Sequence, residues 1–276
     1  QNRVRLLQEN DYGLTSYESE ITVIHVDKKG NKWFAYEDLF GGFGLGVYQD
    51  GTWTEFTMDN SDLEAKVLAI KSIGDSIYLA TGNGLQVFDG QSFSGWKTYS
   101  QENILDLPEN RVTAIDTGNS GLLWLGFSNG KVASFNRYNQ QVNTLPEISS
   151  RPVNVIKAIN SIVWAGYNGN PGLAMHDTST WSTFDNTSDI TSIDIDSAGN
   201  AWASSPTAVY QVEQAQLHEY KPAPDTSLYH LLIDSLNQPW VISTRGLLKI
   251  EEGQFVLYNE YNSGLPTKLS KPLALG

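Results

Sequence analysis

Apolar positions along this chain recur in short alternating runs rather than at helical spacing. In Ile21-Thr-Val-Ile-His-Val the apolar residues fall on nearly every second position. The run stops at Asp27-Lys-Lys-Gly-Asn, and a second one opens at Trp33. Period-two runs bounded by Gly, Asn, Asp and Ser predict half-buried strands joined by tight turns. The pattern returns at Ile190-Thr-Ser-Ile-Asp-Ile-Asp-Ser-Ala-Gly-Asn-Ala-Trp202 and again over 112–124 and 228–240. It is one residue shorter in the turn over 67–78 and 153–164. The aromatic residues that close these units, Trp33, Tyr78, Trp124, Trp164, Trp202 and Trp240, are 38 to 46 residues apart.

A second half follows each marker: small residues, Gly-Leu or its equivalent, an aromatic, often Asp-Gly, and a further aromatic run. Gly84-Leu-Gln-Val-Phe-Asp-Gly-Gln-Ser-Phe93 is one example. In the first unit this gives four strands, over 21–26, 32–35, 46–48 and 53–57. Four strands at a period near 40 predict an all-β fold, a single β-propeller of six four-stranded blades. The domain is expected to span 1–276, with 1–20 and 261–276 as seam strands that close the ring. Seven blades, or a fragment of a longer array, are the competing architectures.

The repeated residue types have physical reasons. Asp-x-x-Gly-Asn, and the shorter Gly74-Asp75 or Asn160-Ser161, supply the positive φ of a tight hairpin. Small residues after the marker (Ala35, Ala80, Gly126, Ala165, Ala203) let neighbouring sheets approach, and the marker aromatics fill the wedge between blades. A tryptophan series at this spacing reads as core packing, not as a ligand cage.

The pattern Ile-Thr-x-Ile-x-x-Asp-x-x-Gly-Asn-x-Trp, followed by Gly-Leu-x-x-Phe-Asp-Gly, resembles the two-component regulator propeller repeat over about 21–266. The element between units stands here as Asp106-Leu-Pro-Glu-Asn-Arg-Val112 and Asn262-Ser-Gly-Leu-Pro266. The resemblance implies a ligand-sensing propeller on the extracytoplasmic side of a bacterial sensor kinase, often for glycans, or a free-standing secreted or lipid-anchored protein. Similarity to a streptogramin-lyase type of propeller rests on Asp-x-x-Gly-Asn-x-Trp-Phe alone. No Trp-Asp dipeptide supports a WD40 ring.

Charge narrows the partners. The formal net charge is −13, and the 18 basic residues are scattered along the 276 positions. A nucleic-acid binder needs a Lys/Arg stripe to displace phosphate counterions, so that role is excluded, and anionic membrane surfaces are disfavoured with it. No apolar run is long enough to span a bilayer, so no direct membrane insertion is expected. The absence of Cys removes disulfides, thiolate metal sites and Cys nucleophiles together. The chain begins at Gln1 and its first Met is Met58, as expected of a processed or trimmed chain from which any signal peptide has gone. Neither a P-loop nor Gly-x-Ser-x-Gly, HExxH or an EF-hand pattern is present, and no cofactor, metal or catalytic residue is assigned.

Candidate chemistry comes from topology. Loops joining second and third strands share one propeller face with the linkers between blades. The first-blade loop, Tyr36-Glu-Asp-Leu-Phe-Gly-Gly-Phe-Gly44, departs most from the repeat, and its Tyr36, Glu37, Asp38, Phe40 and Phe43 suit sugar stacking or cation binding. Tyr167 and Asn168 of the extended fourth-blade loop, Arg111 of a linker and Arg245 of the sixth blade join the same face. On the inner strands one position reads His25, Lys71, Asp116, Lys157, Asp194 and Leu232 around the ring. Lys71 with Asp116 and Lys157 with Asp194 are expected to pair across neighbouring blades as a solvated structural belt. His25 and His230 become neighbours if six blades close, as an acid–base pair or a metal site with Glu37 or Asp38.

The leading expectation is a non-enzymatic module of an exported bacterial protein, periplasmic or at the cell surface. Its partner is a small molecule or oligosaccharide held on one rim, or another surface protein. A lyase or hydrolase using His25, His230 and the acidic first-blade loop, and a pure scaffold of a cell-surface complex, are the alternatives.

Overall fold

The computed structural model describes residues 20–118 and 121–265, and within them the chain forms six four-stranded antiparallel sheets with no α-helix. Blade 1 comprises β1 (Glu20–Val26), β2 (Lys32–Glu37), β3 (Phe43–Gln49) and β4 (Thr52–Phe56). Blade 2 follows with β5 (Val67–Ile73), β6 (Ser76–Thr81), β7 (Gly84–Phe88) and β8 (Lys97–Tyr99). Blade 3 is β9 (Val112–Thr117), β10 (Leu122–Phe127), β11 (Val132–Asn136) and β12 (Val142–Thr144). Blade 4 is β13 (Val153–Ile159), β14 (Ile162–Tyr167), β15 (Leu173–His176) and β16 (Trp181–Phe184). Blade 5 is β17 (Ser192–Ile195), β18 (Ala201–Ser204), β19 (Val209–Glu213) and β20 (Gln216–Tyr220). Blade 6 is β21 (Leu228–Ile233), β22 (Pro239–Ser243), β23 (Gly246–Glu251) and β24 (Gln254–Tyr258). Each sheet runs in sequence order from inner to outer strand. The molecule is a six-bladed β-propeller, as the repeat predicts.

The predicted Asp-x-x-Gly-Asn-x-Trp hairpin has a specific construction. In blade 1, Asp27 Oδ1 accepts the Lys29 and Asn31 amides (2.9 and 3.0 Å), and Oδ2 accepts Asn31 Nδ2 (2.9 Å) and Trp33 Nε1 (3.1 Å). Blade 5 repeats this with Asp196, Asn200 and Trp202, and blade 6 keeps the amide and indole bonds, with Asp234 accepting the Leu236 and Gln238 amides and Trp240 Nε1. One carboxylate therefore closes the turn and sets the indole, which explains why the acid and the aromatic recur together.

The core lies between blades, not within them. Trp33 and Leu45 of blade 1 pack with Ile77, Leu79 and Phe88 of blade 2. Tyr78, Trp164 and Trp202 are buried in the same way against blades 3, 5 and 6, while Trp124 packs half-buried between blades 3 and 4. Each fully buried large side chain is worth about 1.5–3 kcal/mol of removed apolar surface. Close approach needs small residues at the predicted positions. A Cβ on Gly126 would stand 2.6 Å from Val153 Cγ1 of the next blade, and one on Gly166 2.6 Å from Ile190 Cγ2.

One detail departs from expectation. The first-blade loop is a hairpin whose ladder continues to Glu37↔Phe43, because Asp38 closes a short turn over 38–42. The proposed seam strands, apart from Glu20 and residues 261–265, lie outside the described residues.

Candidate functional site

The inner strands place a polar belt along the channel. Lys71 Nζ pairs with Asp116 at 2.5 Å and Lys157 Nζ with Asp194 at 2.7 Å, as the repeat alignment predicts. The remaining carboxylate oxygens reach one blade further: Asp116 Oδ2 accepts the Ala158 amide and Asp194 Oδ2 the Ile233 amide, both at 2.8 Å. His25 occupies the same place in blade 1. Its Nε2 accepts the Ser72 amide at 3.2 Å and lies 2.8 Å from Ser72 Oγ. Acceptors thus stand on blades 1, 3 and 5, and blades 2 and 4 carry the cations. Leu232 takes the cation's place in blade 6. These bonds stitch neighbouring blades together, which agrees with the structural-belt reading.

The belt decides what the two histidines can do. Burial, aided by Lys71, lowers the His25 pKa from 6.5 to about 4, so the imidazole is neutral at pH 7. Its Nε2 lone pair is already committed to Ser72. His230 is also lowered, first by burial and then by Lys157, with Asp194 opposing. Both rings line one channel cavity of about 310 Å³ together with Lys157 and Asp194. No hydrogen bond joins them among the described residues, and those residues contain no grouping of three His, Cys, Asp or Glu able to hold a metal.

On the face of the second-to-third-strand loops, the rim is smaller than the sequence suggests. Tyr36 is only 6% exposed and donates its hydroxyl to Glu55. Tyr167 is 1% exposed in the wedge between blades 3 and 4. Both rings are buried: Tyr167 packs between blades 3 and 4, and Tyr36 lies against Gly44 and Glu55 of its own blade. Burial and, at Tyr36, the Glu55 carboxylate raise both phenols well above their usual range. Glu37 is paired with Lys66, and the Asp38 carboxylate is spent on the amides of Phe40 and Gly42 (2.8 and 2.7 Å). Phe43 is half-buried against the blade 1–2 core. Phe40, at 93% exposure, is left as the aromatic tip of the turn, and Asn168, Arg111 and Arg245 are exposed.

One concavity on this face was not predicted, His230 apart. Thr22, Thr191, Pro206, Ser227, Leu228, Tyr229 and His230 line an open cavity of about 380 Å³ where blades 1, 5 and 6 meet at the channel mouth. Thr191 Oγ1 donates to Tyr229 O across the blade 5–6 boundary at 2.8 Å, as Thr113 Oγ1 does to Val153 O at 2.6 Å across blades 3 and 4. Thr22 bonds within its own blade, to Ala35 O at 3.3 Å. A signal was present in the sequence: the Ile-Thr start of the inner strand recurs in blades 1 and 5, so its hydroxyls were bound to gather at the mouth.

Fold and site together place the protein among six-bladed propellers with a polar, hydroxyl-lined mouth. No family model matches the chain, and no curated relative does. Among solved structures, the extracellular domain of the hybrid two-component system BT4673 from B. thetaiotaomicron superposes with a TM-score of 0.68 at 14% identity, over 91% of this chain and 35% of that one. The extracellular domain of the hybrid two-component system BT3049, from the same organism, gives 0.66 at 20% identity, over 83% and 33%. PorZ, a surface component of the type-IX secretion system of Porphyromonas gingivalis, gives 0.68 at 16%, over 89% and 42%. The chain therefore spans well under half the length of these structures, and what it shares with them is the propeller fold.

Proposed function

We propose that this protein is a non-enzymatic recognition propeller acting outside the cytoplasm, and that it holds a polyhydroxylated ligand such as an oligosaccharide at the channel mouth. The cavity of about 380 Å³ carries this reading. Its hydroxyls and the His230 imidazole offer both donors and acceptors, and Leu228 and Pro206 supply apolar contact for the flat of a sugar ring. Neutrality of the imidazole supports an uncharged ligand over an anion, because it donates one hydrogen bond and accepts another. The neighbours in fold, extracellular domains of two hybrid two-component systems and a surface component of a type-IX secretion system, lend support to the same setting.

The test is a glycan array followed by calorimetry on any binder, comparing wild type with Ser227→Ala and Tyr229→Ala. Loss of about tenfold or more in affinity in either variant, with unchanged thermal unfolding, is the expected result. Absence of any binder, or variants that bind as well as wild type, rejects the reading.

A further inference from the structure

Half of the large hydrophobic side chains that the described residues leave exposed fall in one sector of the ring. Leu39 and Phe40 cap the first-blade turn, Met58 sits on the linker between blades 1 and 2, and Phe93 lies in the long loop before β8. Scattered apolar residues are ordinary on a protein surface, but a concentration of them marks an interaction site. An open groove of about 370 Å³ runs here, lined by Met58, Ser61, Asp62, Leu63, Glu64 and Trp96.

The groove is held in shape from below. Trp96 stacks on Phe88 at 4.0 Å and lies 5.7 Å from Phe56, so the aromatic core between blades 1 and 2 continues outward to the groove wall. Asp62 Oδ2 accepts the Gly95 and Trp96 amides (2.6 and 3.2 Å), and the Asp62 amide donates to Phe93 O at 2.9 Å. Ser61 and Asn60 tie the linker back to Thr57 and Glu55. A rigid aromatic platform beside an adaptable methionine is suited to burying apolar side chains of a partner at small entropic cost.

Charge selects the occupant. Asp59, Asp62 and Glu64 are exposed along the linker. The nearby cations are engaged: Lys66 pairs with Glu37, and Lys97 Nζ lies over the Tyr99 ring at 4.6 Å. The local field is negative and lies within a chain of net charge −13. We propose that this groove docks a peptide segment of a partner protein in which apolar and basic residues alternate, with apolar side chains against Trp96 and Met58 and Lys or Arg against Asp59 and Glu64. The site lies on another sector from the cavity at the channel mouth, so its fate is independent of the ligand reading above.

The probe is a fluorescein-labelled alternating Leu-Lys hexapeptide, read by anisotropy against Leu-Glu and Leu-Gln hexapeptides. Only the Leu-Lys peptide is expected to bind, and to bind about tenfold more weakly when NaCl rises from about 0.05 to about 0.5 M. Met58→Ser and the double variant Asp59→Asn/Glu64→Gln alter exposed side chains and are expected to keep the fold, checked by thermal unfolding, while each weakens binding at least about fivefold. Equal binding of the three peptides, no binding of Leu-Lys, or full binding by both variants overturns the proposal. So does a dimer of this chain that Met58→Ser dissociates in light scattering, because the groove then belongs to a second copy.

Discussion

The wedge between blades 1 and 2 and the seam edge of blade 6 start from the same hairpin and end in different packing. Asp27 holds Trp33 and Asp234 holds Trp240 through equivalent bonds. Trp33 is 2% exposed, stacked on Phe56 of its own blade and met edge-on by Phe88 of the next (5.8 Å). Trp240 is half-buried, with Tyr258 and the Lys249 ammonium of its own blade as ring neighbours (both 5.3 Å). The repeat therefore encodes the turn and the direction of the indole, whereas its burial depends on what the following blade presents.

Substitution separates those two contributions. Trp33→Ala is expected to lower stability most, by about 4 kcal/mol, and Trp240→Ala by about half as much. Urea midpoints at matched m-values check this, and equal losses would show that the two wedges are equivalent. Asp116→Ala comes next, at about 3 kcal/mol, because it strands the half-buried Lys71 ammonium and the Ala158 amide. Thermal unfolding should place it well below wild type.

Removing the hairpin acids tests the shared part. Asp27→Ala and Asp234→Ala are each expected to cost about 1–2 kcal/mol, alike in the two blades despite their unlike wedges. Burial raises both carboxyls, but the indole and amide donors outweigh it, so both lie below the ordinary 3.8. Their contribution is present above pH about 3.8 and is lost as pH falls through the lower folded value. An acid-unfolding series should therefore be shallower in either variant.

The smallest effect belongs to the belt at the seam. His25→Asp with Leu232→Lys supplies the cation and carboxylate found at the other belt positions and is expected to gain about 1 kcal/mol. Wild-type His25 contributes fully above pH 6.5, and that part is lost as pH falls towards its folded value of about 4. The double variant should lose this slope between the two values, as measured by denaturation at stepped pH.

Much of this architecture was legible because it repeats. Six aromatic markers, the Gly-Asn turns and the small residues behind them each announce a local geometry that the chain uses several times over. The Lys71–Asp116 and Lys157–Asp194 pairs followed from alignment alone. The rim was less legible. Tyr36 and Tyr167 looked like loop aromatics because a sequence does not show where a ladder stops, and two further residue pairs of strand turned one of them inward. The cavity at the channel mouth escaped because it belongs to three blades distant in the chain, each contributing ordinary Thr, Ser or Tyr residues.

The belt also constrains how such a ring can change size. From blade 1 to blade 5 acceptor and cation alternate, so within that stretch the pattern has a repeat of two. Inserting or deleting a single blade inside that stretch would set two acceptors, or two lysines, side by side on the channel wall, where no neighbour neutralises them. Growth in this lineage should therefore proceed by duplicated pairs, and the neutral His25–Leu232 junction is the one place where an odd blade enters without charge conflict.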